Sequence, residues 1–441
     1  MGNRVMKKYF IITYGCQMNR SDSERIANVL ENIDLKLAKK MNDADLILVN
    51  MCSVRQSAVD RVYGLFPNFQ KFKKENSKLK TVLTGCILKK DRMQFAKRFD
   101  WILDINNLFR WPKILKIRDG GQMKKNYFEI LPKYQTRFSA LVPIMTGCNN
   151  SCAYCVVPYT RGKEISRPAK EIIQEIKKLI KGGYKEIWLL GQNVNSYRDG
   201  LINFPKLLKA VNDIRGDFWI RFTSPHPKDF SEELIRVMAK CQKVTPYLNL
   251  PVQSGDNEIL KKMNRPYTIS YYKKLIKKIR AAFKIYRRGL EKEVSISTDV
   301  IIGFPGEREK QFKNTVKLFK EIKYEMAYIA RYSPRPGTVA EKLKDNVPPP
   351  EKERRYKILT KILKENAQDQ NKKYLGREIE VLVDEIKNQS LIGKSRHYKT
   401  VKISIDSKCR AQKTNLIGQF VKVKIIDTSP WGLKGVLKNE K

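Results

Sequence analysis

The chain has 441 residues, of which 41% are hydrophobic, and 89 Lys and Arg against 45 Asp and Glu give a formal net charge of +44. This length predicts two to four domains with ample core. The absence of any apolar run of about 18 residues predicts no membrane span. The charge favours a polyanionic partner such as nucleic acid, although a general bias towards lysine would raise the net charge without any function.

The N-terminal region alternates short apolar segments with helical ones. Residues 8–13, 45–50 and 79–84 predict strands, so we expect a parallel α/β (Rossmann-like) sheet with covered faces. Cys16, Cys52 and Cys86 each follow one of these strands. Because the carboxyl ends of parallel strands meet at one edge, the three thiols are expected to converge into a site. Three ordinary buried cysteines are the alternative.

Further along, Cys148, Cys152 and Cys155 follow a predicted buried strand at 139–145 with the spacing C-x3-C-x2-C. Three thiolates are one ligand short of a closed zinc or iron–sulfur site, which leaves one metal position open for chemistry. The spacing favours a reactive [4Fe–4S] cluster. A disulfide with a spare thiol, or a zinc site whose fourth ligand comes from far away, are the alternatives.

The central region repeats strand and helix. Strands are predicted at 139–145, 186–190, 218–222, 244–250, 294–302 and 327–332, which indicates a partial (β/α)6 barrel. The loop after each of the last five strands combines Gly or Pro with hydrogen-bonding side chains, which favours a binding site at the carboxyl ends of the strands. The polar stretch 110–137 is predicted to be a linker.

The C-terminal region changes character after the spacer Pro348-Pro349-Pro350. A charged helix at 351–373 is followed by five short strands that predict a small β-barrel. Residues 371–441 contain 16 Lys and Arg against 7 Asp and Glu. The cluster from Lys394 to Lys399 suits RNA contact, with a solvated barrel loop as the alternative.

Several motifs together resemble one family. The cysteine loop and its surroundings, IMTGCNNSCAYCVVPYTRGKEISRP at 144–168, resemble the radical S-adenosylmethionine (SAM) methylthiotransferases, and most closely the bacterial tRNA 2-methylthio-N6-dimethylallyladenosine synthases. The other matching motifs are TYGCQMN at 13–19, GQNVNSY at 191–197, PVQSG at 251–255, MNRPYT at 263–268, DVIIGFPGE at 299–307 and YSPRPGT at 332–338.

The resemblance implies three domains: a methylthiotransferase N-terminal domain at 7–125, a radical SAM core at 135–370 and a TRAM-like RNA-binding domain at 371–440. It implies two [4Fe–4S] clusters as cofactors, one on Cys148, Cys152 and Cys155 that binds SAM, and one on Cys16, Cys52 and Cys86 that provides sulfur. The C2–H of adenine is neither acidic nor a good electrophilic centre, so radical cofactor chemistry suits its replacement by sulfur.

The implied reaction adds a methylthio group at C2 of N6-isopentenyladenosine next to the anticodon of tRNA. Within the same class, threonylcarbamoyladenosine in tRNA and a ribosomal-protein aspartate are alternative substrates. A non-catalytic iron–sulfur RNA-binding or electron-transfer protein is the alternative from another class. The expected partners are tRNA and a reduced flavodoxin- or ferredoxin-type electron donor, and the expected state is a cytoplasmic monomer without membrane contact.

Individual contacts are predicted from the placement of polar residues. Strand-end position and polar reach suggest SAM contacts by Gln192, Asn193, Ser224, Gln253 and Ser254, and Tyr154 is expected to pack against the cofactor or its cluster. Arg161 and Arg167 follow the cysteine loop and are predicted to neutralise the SAM carboxylate or an RNA phosphate, with a structural ion pair as the alternative. Lys394 and Arg396 are predicted RNA contacts, and Cys241 and Cys409 are expected to be ordinary thiols.

Overall fold

The structure is a computed structural model that describes residues 7–115, 126–404 and 414–437. The chain forms two compact units, each assembled from separate segments. The first unit comprises Met1–Gln135, Met145–Arg167 and Arg335–Glu341, and the second comprises Thr136–Ile144, Pro168–Pro334 and Lys342–Lys441. The predicted domain boundaries divide the chain consecutively, whereas these units interleave along it, so the boundaries stay predictions.

The elements at the start of the chain are β1 (Lys8–Tyr14), α1 (Gln17–Glu31), β2 (Lys36–Leu37), β3 (Leu46–Cys52), α2 (Gln56–Tyr63), α3 (Phe66–Glu75), β4 (Lys80–Cys86), α4 (Lys89–Phe95), β5 (Trp101–Ile102) and α5 (Trp111–Ile114).

The central elements are β6 (Ser139–Pro143), β7 (Met145–Thr146), α6 (Val157–Arg161), β8 (Ile165–Ser166), α7 (Ala169–Lys181), β9 (Glu186–Leu190), β10 (Arg198–Asp199), β11 (Ile202–Asn203), α8 (Phe204–Asn212), β12 (Trp219–Phe222), α9 (Glu232–Lys240), β13 (Tyr247–Asn249), α10 (Asn257–Lys262), α11 (Ile269–Tyr286), β14 (Ser295–Ile302), α12 (Glu309–Ile322), β15 (Met326–Arg331) and α13 (Pro349–Lys372). The last elements are β16 (Glu378–Lys387), β17 (Ser390–Ser395), β18 (Thr400–Ser404), β19 (Phe420–Ser429) and β20 (Gly432–Leu437).

The first unit contains a parallel sheet with the strand order β2-β1-β3-β4-β5. Strand β3 is buried along its whole length, as expected for a parallel strand covered on both faces. The predicted Rossmann-like α/β arrangement is therefore confirmed. One helix-side cluster contains Leu30 and Leu48, and the opposite cluster contains Val49 and Phe95.

Part of the predicted linker belongs to the core of the first unit. Trp111 is 0% exposed, and its indole N–H donates to the carbonyl of Asp104 at 3.1 Å. Tyr127 and Ile130 pack into the same apolar cluster as Leu30. The linker prediction is wrong here. The few large apolar residues in this polar stretch follow neither a helical nor a strand period, so the sequence shows no periodic pattern from which their burial could be predicted.

The second unit contains six parallel strands in two sheets. The strand orders are β12-β9-β6 and β13-β14-β15, and a parallel bridge between Ile220 and Val244 connects the two. Helices follow the strands, as a βα repeat requires. The predicted partial (β/α)6 barrel is confirmed.

The same unit ends in a closed five-stranded barrel with the order β16-β17-β18-β20-β19. Its core contains Val381, Leu391, Val401 and Val423, which are all 0% exposed. Closure leaves no free sheet edge and accounts for the stability of such a small sheet. The predicted small β-barrel is confirmed. Among the described residues, no helix combines the length and the apolarity needed to cross a membrane.

Candidate functional site: two sets of three thiols

The first set of thiols lies on an irregular loop of the first unit between β7 and β8. These two short strands pair antiparallel and hold the ends of the loop together. Gly147 opens the loop with φ +77°, and a Cβ there would lie 2.0 Å from the carbonyl oxygen of Lys163. Only glycine fits this backbone, because other residues would meet both the left-handed φ and the clash. The motif therefore begins with Gly147 for a steric reason.

Backbone N–H groups of this loop are directed at the sulfur atoms. The N–H of Asn150 donates to Cys148 Sγ at 3.4 Å, and that of Val157 donates to Cys155 Sγ at 3.5 Å. The N–H of Cys155 donates to the carbonyl of Cys152 at 3.0 Å, which closes a turn between them. Burial raises the pKa of the Cys148 thiol. N–H donors favour sulfur in its anionic form, the form that binds metal.

The second set of thiols lies at the carboxyl end of the parallel sheet. Cys52 and Cys86 are register partners at the last pair of β3 and β4. Cys16 is the N-cap residue of α1, two residues after the end of β1, and its sulfur lies within electrostatic reach of Cys86. Gly85, with φ +103°, lets β4 approach Met51, whose carbonyl oxygen would be 2.2 Å from an added Cβ. The strands therefore bring the three predicted cysteines to one edge.

Cys52 and Cys86 are electrostatically unequal. The thiol of Cys52 donates a hydrogen bond to Cys86, and this hydrogen bond together with the Arg161 guanidinium lowers the pKa of Cys86 to about 6 against the opposing effect of burial. The same hydrogen bond and burial hold the pKa of Cys52 well above its usual range. Of these two thiols, Cys86 is consequently the one that more readily carries the negative charge.

Arg161, at the end of α6, is buried in the first unit beside Cys86. Its Nε donates to Cys86 Sγ at 3.0 Å, and its Nη2 forms an ion pair with Asp22 Oδ2 at 2.6 Å. The side chains of Arg161 and Asp22 are 3% and 0% exposed. This contact is the structural ion pair named as the alternative for Arg161, and its neutralisation of RNA phosphate or the SAM carboxylate stays a prediction. Arg167, only 4% exposed, is likewise not a surface residue.

All seven cysteines in the described ranges are free thiols, so the disulfide alternative finds no support there. Cys241 is buried, as expected of an ordinary thiol, and Cys409 lies outside the described residues. No group of three Cys, His, Asp or Glu side chains within 7–115, 126–404 and 414–437 stands in an arrangement that would hold a metal ion unchanged.

Polar atoms without partners mark the strand ends of the second unit. Asn193 is 2% exposed; its Nδ2 donates to Asp229 Oδ2 at 2.8 Å, while its Oδ1 has no hydrogen-bond partner. The Oε1 of Gln192 is buried and also without a partner. An unpaired buried polar atom costs about 1–3 kcal/mol, so such atoms call for a ligand or another specific role.

The backbone is strained at two more of the predicted SAM residues. Ser224 and Gln253 have φ values of 54° and 68°, in the left-handed region that non-glycine residues rarely adopt. Such strain concentrates at functional sites. Ser254 behaves differently, because it is fully buried and its Oγ accepts the N–H of Asp256 at 3.2 Å within a turn. Tyr154 is half-buried in the first unit.

His226 is a residue that the sequence predictions did not single out. Its backbone N–H donates to Asn195 Oδ1 at 2.8 Å, and its Nδ1 accepts the N–H of Lys228 at 3.2 Å. The proton of the neutral ring therefore lies on Nε2, which is buried and has no partner. Burial and the nearby charges of Arg265 and Lys228 lower the pKa of His226 to about 2. Its position in a strand-end loop is the only sequence signal that it offers.

The basic turn at the C-terminal barrel is directed inward, against the rest of the second unit. Lys394 Nζ donates to Thr400 Oγ1 at 2.7 Å, and Arg396 Nη2 donates to the carbonyl of Gln242 at 2.5 Å. His397 is 6% exposed. Both side chains therefore have an observed structural role, and their contact with RNA stays a prediction.

Arg221 on β12 joins this turn to the strands. Its side chain is 0% exposed and forms an ion pair with Glu186 at 2.6 Å. Its remaining N–H groups donate to Thr245 Oγ1 at 3.0 Å and to the carbonyls of Ser395 and Arg396 at 2.8 and 2.9 Å. The guanidinium therefore satisfies one buried carboxylate and two buried carbonyls at once.

Three known families match successive regions of the chain. Residues 8–105 match the uncharacterized protein family UPF0004, residues 142–319 match the Radical SAM superfamily, and residues 372–438 match the TRAM domain. Among solved structures, the chain is similar to the cobalamin-dependent SAM radical enzyme OxsB, with a TM-score of 0.53, 11% identity and coverage of 83% of this chain and 56% of OxsB. It is also similar to the radical SAM methyltransferase TsrM from Kitasatospora setae, with a TM-score of 0.53, 12% identity and coverage of 76% and 74%.

The sequence relatives are closer and span both chains. A tRNA-2-methylthio-N(6)-dimethylallyladenosine synthase of Dictyoglomus thermophilum is 40% identical over 453 aligned positions that cover 99% of each chain. The enzyme of the same name from Clostridium novyi is 40% identical and covers 98% of this chain and 97% of its own. The protein therefore belongs to the radical SAM enzyme family of the tRNA-2-methylthio-N(6)-dimethylallyladenosine synthases.

Proposed function

We propose that the chain adds a methylthio group to C2 of N6-isopentenyladenosine next to the anticodon of tRNA. The observation that carries this proposal is 40% identity to synthases of this modification over 99% of the chain, with all three regions represented. A relative that matched only the Radical SAM region would support the radical chemistry but not the substrate.

The proposed cofactors are SAM and two [4Fe–4S] clusters, one on each set of thiols. The donors fit, because each set offers three sulfur ligands and leaves one iron open. Cys148, Cys152 and Cys155 would hold the cluster that binds SAM and supplies the radical. The N–H groups directed at Cys148 and Cys155 match the hydrogen bonding that tunes such clusters. Cys16, Cys52 and Cys86 would hold the second cluster, which supplies sulfur.

For SAM we propose contacts with Gln192, Asn193, Ser224 and Gln253, together with Tyr154 beside its cluster. The support is the unpaired Oε1 and Oδ1 atoms and the two strained backbones described above. Ser254 has the weakest support, because its hydroxyl already takes part in a turn. We add His226, whose unpaired Nε2–H would donate to an acceptor on the bound nucleoside.

The substrate is proposed to be tRNA, held in part by the basic C-terminal barrel. Its strands present exposed lysines, and Trp431 in the turn between β19 and β20 is 48% exposed. Cationic groups and a stacking ring are the usual means of holding a single-stranded nucleic acid. Reduced flavodoxin- or ferredoxin-type protein is the proposed electron donor, and we propose a cytoplasmic monomer.

Two experiments test this proposal. The reconstituted protein with dithionite and SAM should release 5′-deoxyadenosine, and release of none would refute the enzyme assignment. Nucleosides of tRNA from a deletion strain should lack 2-methylthio-N6-isopentenyladenosine. If that nucleoside persists and the methylthio group is lost instead from threonylcarbamoyladenosine or from a ribosomal-protein aspartate, the substrate assignment is wrong.

The assignment of ligands has its own test. Replacing either set of three cysteines by alanine should remove about half of the bound iron, if each set holds one cluster of the same kind. Cys241→Ala is the matched control and should leave the iron content unchanged. Loss of iron in only one of the two triple variants would mean that the other set is not a cluster site.

A further inference from the structure

We propose that Arg161 is a positioning residue for the sulfur of Cys86 and sets the reduction potential of the second cluster. This inference rests on the proposed function, because it assumes that Cys16, Cys52 and Cys86 hold a cluster. Arg161 follows the first set of thiols in the chain and contacts the second set. It would thus connect the loop that carries the first cluster to the ligands of the second.

The contact is specific in its geometry. Arg161 Nε lies 3.0 Å from Cys86 Sγ, which is short for a hydrogen bond to sulfur, while Nη2 lies 2.6 Å from Asp22 Oδ2. The planar guanidinium fixes these two directions relative to each other, so the position of Asp22 determines the direction of the Nε–H. Asp22 is in turn held by the hydroxyl of Tyr127, which donates to Oδ1 at 2.6 Å.

The two charged groups that form the contact are buried. Asp22 and Arg161 are both nearly inaccessible to solvent. Arg25 lies beside this group, with its guanidinium 5.2 Å from the centre of the Tyr127 ring, and Arg335, paired with Asp91, lies within electrostatic reach of Cys52. Buried charges are screened less by solvent and salt than exposed ones, so a change of one charge beside Cys86 should affect the cluster there.

The sign of the effect follows from the charges. Reduction adds one negative charge to a cluster, and a neighbouring cation stabilises the reduced form more than the oxidised form. Hydrogen bonds to cluster sulfur raise the reduction potential in the same direction. Arg161 should therefore raise the potential, and Asp22 should lower it by opposing that charge.

A purely structural ion pair makes a different prediction. In that case Asp22→Asn and Arg161→Gln would both break the same pair and would affect the protein in the same direction. If Arg161 acts on Cys86, the two substitutions move the reduction potential in opposite directions. The two roles can therefore be separated by the sign of the shift.

The experiment uses the full-length protein in which Cys148, Cys152 and Cys155 are replaced by alanine, so that only the second cluster is present. Its reduction potential is measured by a dye-mediated titration with dithionite, followed by electron paramagnetic resonance. Arg161→Gln, Arg161→Lys and Asp22→Asn are compared in this background. Arg20→Gln, which removes an exposed arginine of the same helix as Asp22, is the matched control.

Arg161→Gln should make reduction about tenfold less favourable, a fall of about 59 mV for a one-electron step. Asp22→Asn should make it about threefold more favourable, a rise of about 28 mV by the same conversion. Arg161→Lys keeps the charge but not the fixed pair of donors, so its potential should lie between those of the parent and Arg161→Gln. Arg20→Gln should cause no shift.

Two results would overturn the inference. Shifts of the same sign for Arg161→Gln and Asp22→Asn would mean a structural ion pair, and an unchanged potential in Arg161→Gln would mean no action on the cluster. If the background protein holds no iron, the proposed second cluster itself is wrong. Should Arg161→Gln fail to fold because Asp22 is left unpaired, the double variant with Asp22→Asn removes that charge and should still show a potential below that of the parent.

Discussion

Replacing Arg221 by methionine should strongly destabilise the second unit. The substitution leaves Glu186, whose side chain is 8% exposed, without its cation. Removing one partner of a buried ion pair typically costs about 3–5 kcal/mol. The carbonyls of Ser395 and Arg396 also lose their donor, at about 1–3 kcal/mol for each unsatisfied group. Because local relaxation and water would recover part of this sum, we expect a net loss of about 4 kcal/mol in the free energy of unfolding.

The assay is urea denaturation followed by tryptophan fluorescence. Trp188 and Trp219 have ring centres 5.6 and 5.2 Å from the Arg221 guanidinium, so their emission reports on this region. Arg236→Met, on the exposed surface of α9, is the matched control and should change stability by less than about 0.5 kcal/mol. Adding Glu186→Gln to Arg221→Met removes the unpaired charge and should restore part of the loss.

A small effect on stability would contradict the predicted role of Arg221. A loss below about 1 kcal/mol in Arg221→Met would mean that water replaces the guanidinium without significant cost. An equal loss in the double variant would mean that the stranded carboxylate of Glu186 is not the source of the destabilisation. In that case the carbonyls of Ser395 and Arg396 would carry the effect.

Three further predictions concern other parts of the chain. Gly147→Ala should abolish iron binding by the first set of thiols, measured as iron content, because an added Cβ would lie 2.0 Å from the Lys163 carbonyl oxygen; normal iron content would contradict this. Burial, and then the charge of Glu186, raise the pKa of Asp384 to about 6, so the folded state retains a proton that the unfolded state loses near pH 4. Stability should therefore fall by at most about 3 kcal/mol as the pH rises from about 4 to above 6, and Asp384→Asn should remove this slope in denaturation midpoints. His226→Phe should weaken SAM binding about tenfold in equilibrium dialysis through loss of one hydrogen bond, and unchanged binding would exclude His226 from the site.

The arrangement of the thiols could be predicted from the sequence because it depends on chain topology. Once β1, β3 and β4 are recognised as short apolar strands joined by helices, the parallel sheet follows, and with it a shared edge for Cys16, Cys52 and Cys86. The six central strands and the final barrel were predictable for the same reason. Their apolar runs are separated by turn residues, and the order of the six central strands follows the chain, whereas the barrel places β20 between β18 and β19.

The roles of individual charged residues could not be predicted in this way. Arg161, Arg221 and Arg396 look alike in the sequence, and each hydrogen-bonds to a partner far along the chain. Composition suggests that an arginine in a basic protein is exposed, and only the tertiary structure shows otherwise. His226 was missed for a related reason, since an unpaired ring nitrogen is a property of its surroundings and not of a motif.

The interleaved composition of the first unit has a consequence for its synthesis. The segments Met145–Arg167 and Arg335–Glu341 both belong to this unit. The N–H of Ala340 in the second segment donates to the carbonyl of Ala153 in the first at 2.8 Å. During synthesis on the ribosome, this contact can therefore form only after some 190 residues beyond the cysteine loop have emerged. Such closure over a long sequence separation is slow. A fragment that ends at residue 125 would contain Cys16, Cys52 and Cys86 but would lack Arg161, so the thiols of such a fragment would lose the cation that accompanies Cys86 in the whole chain.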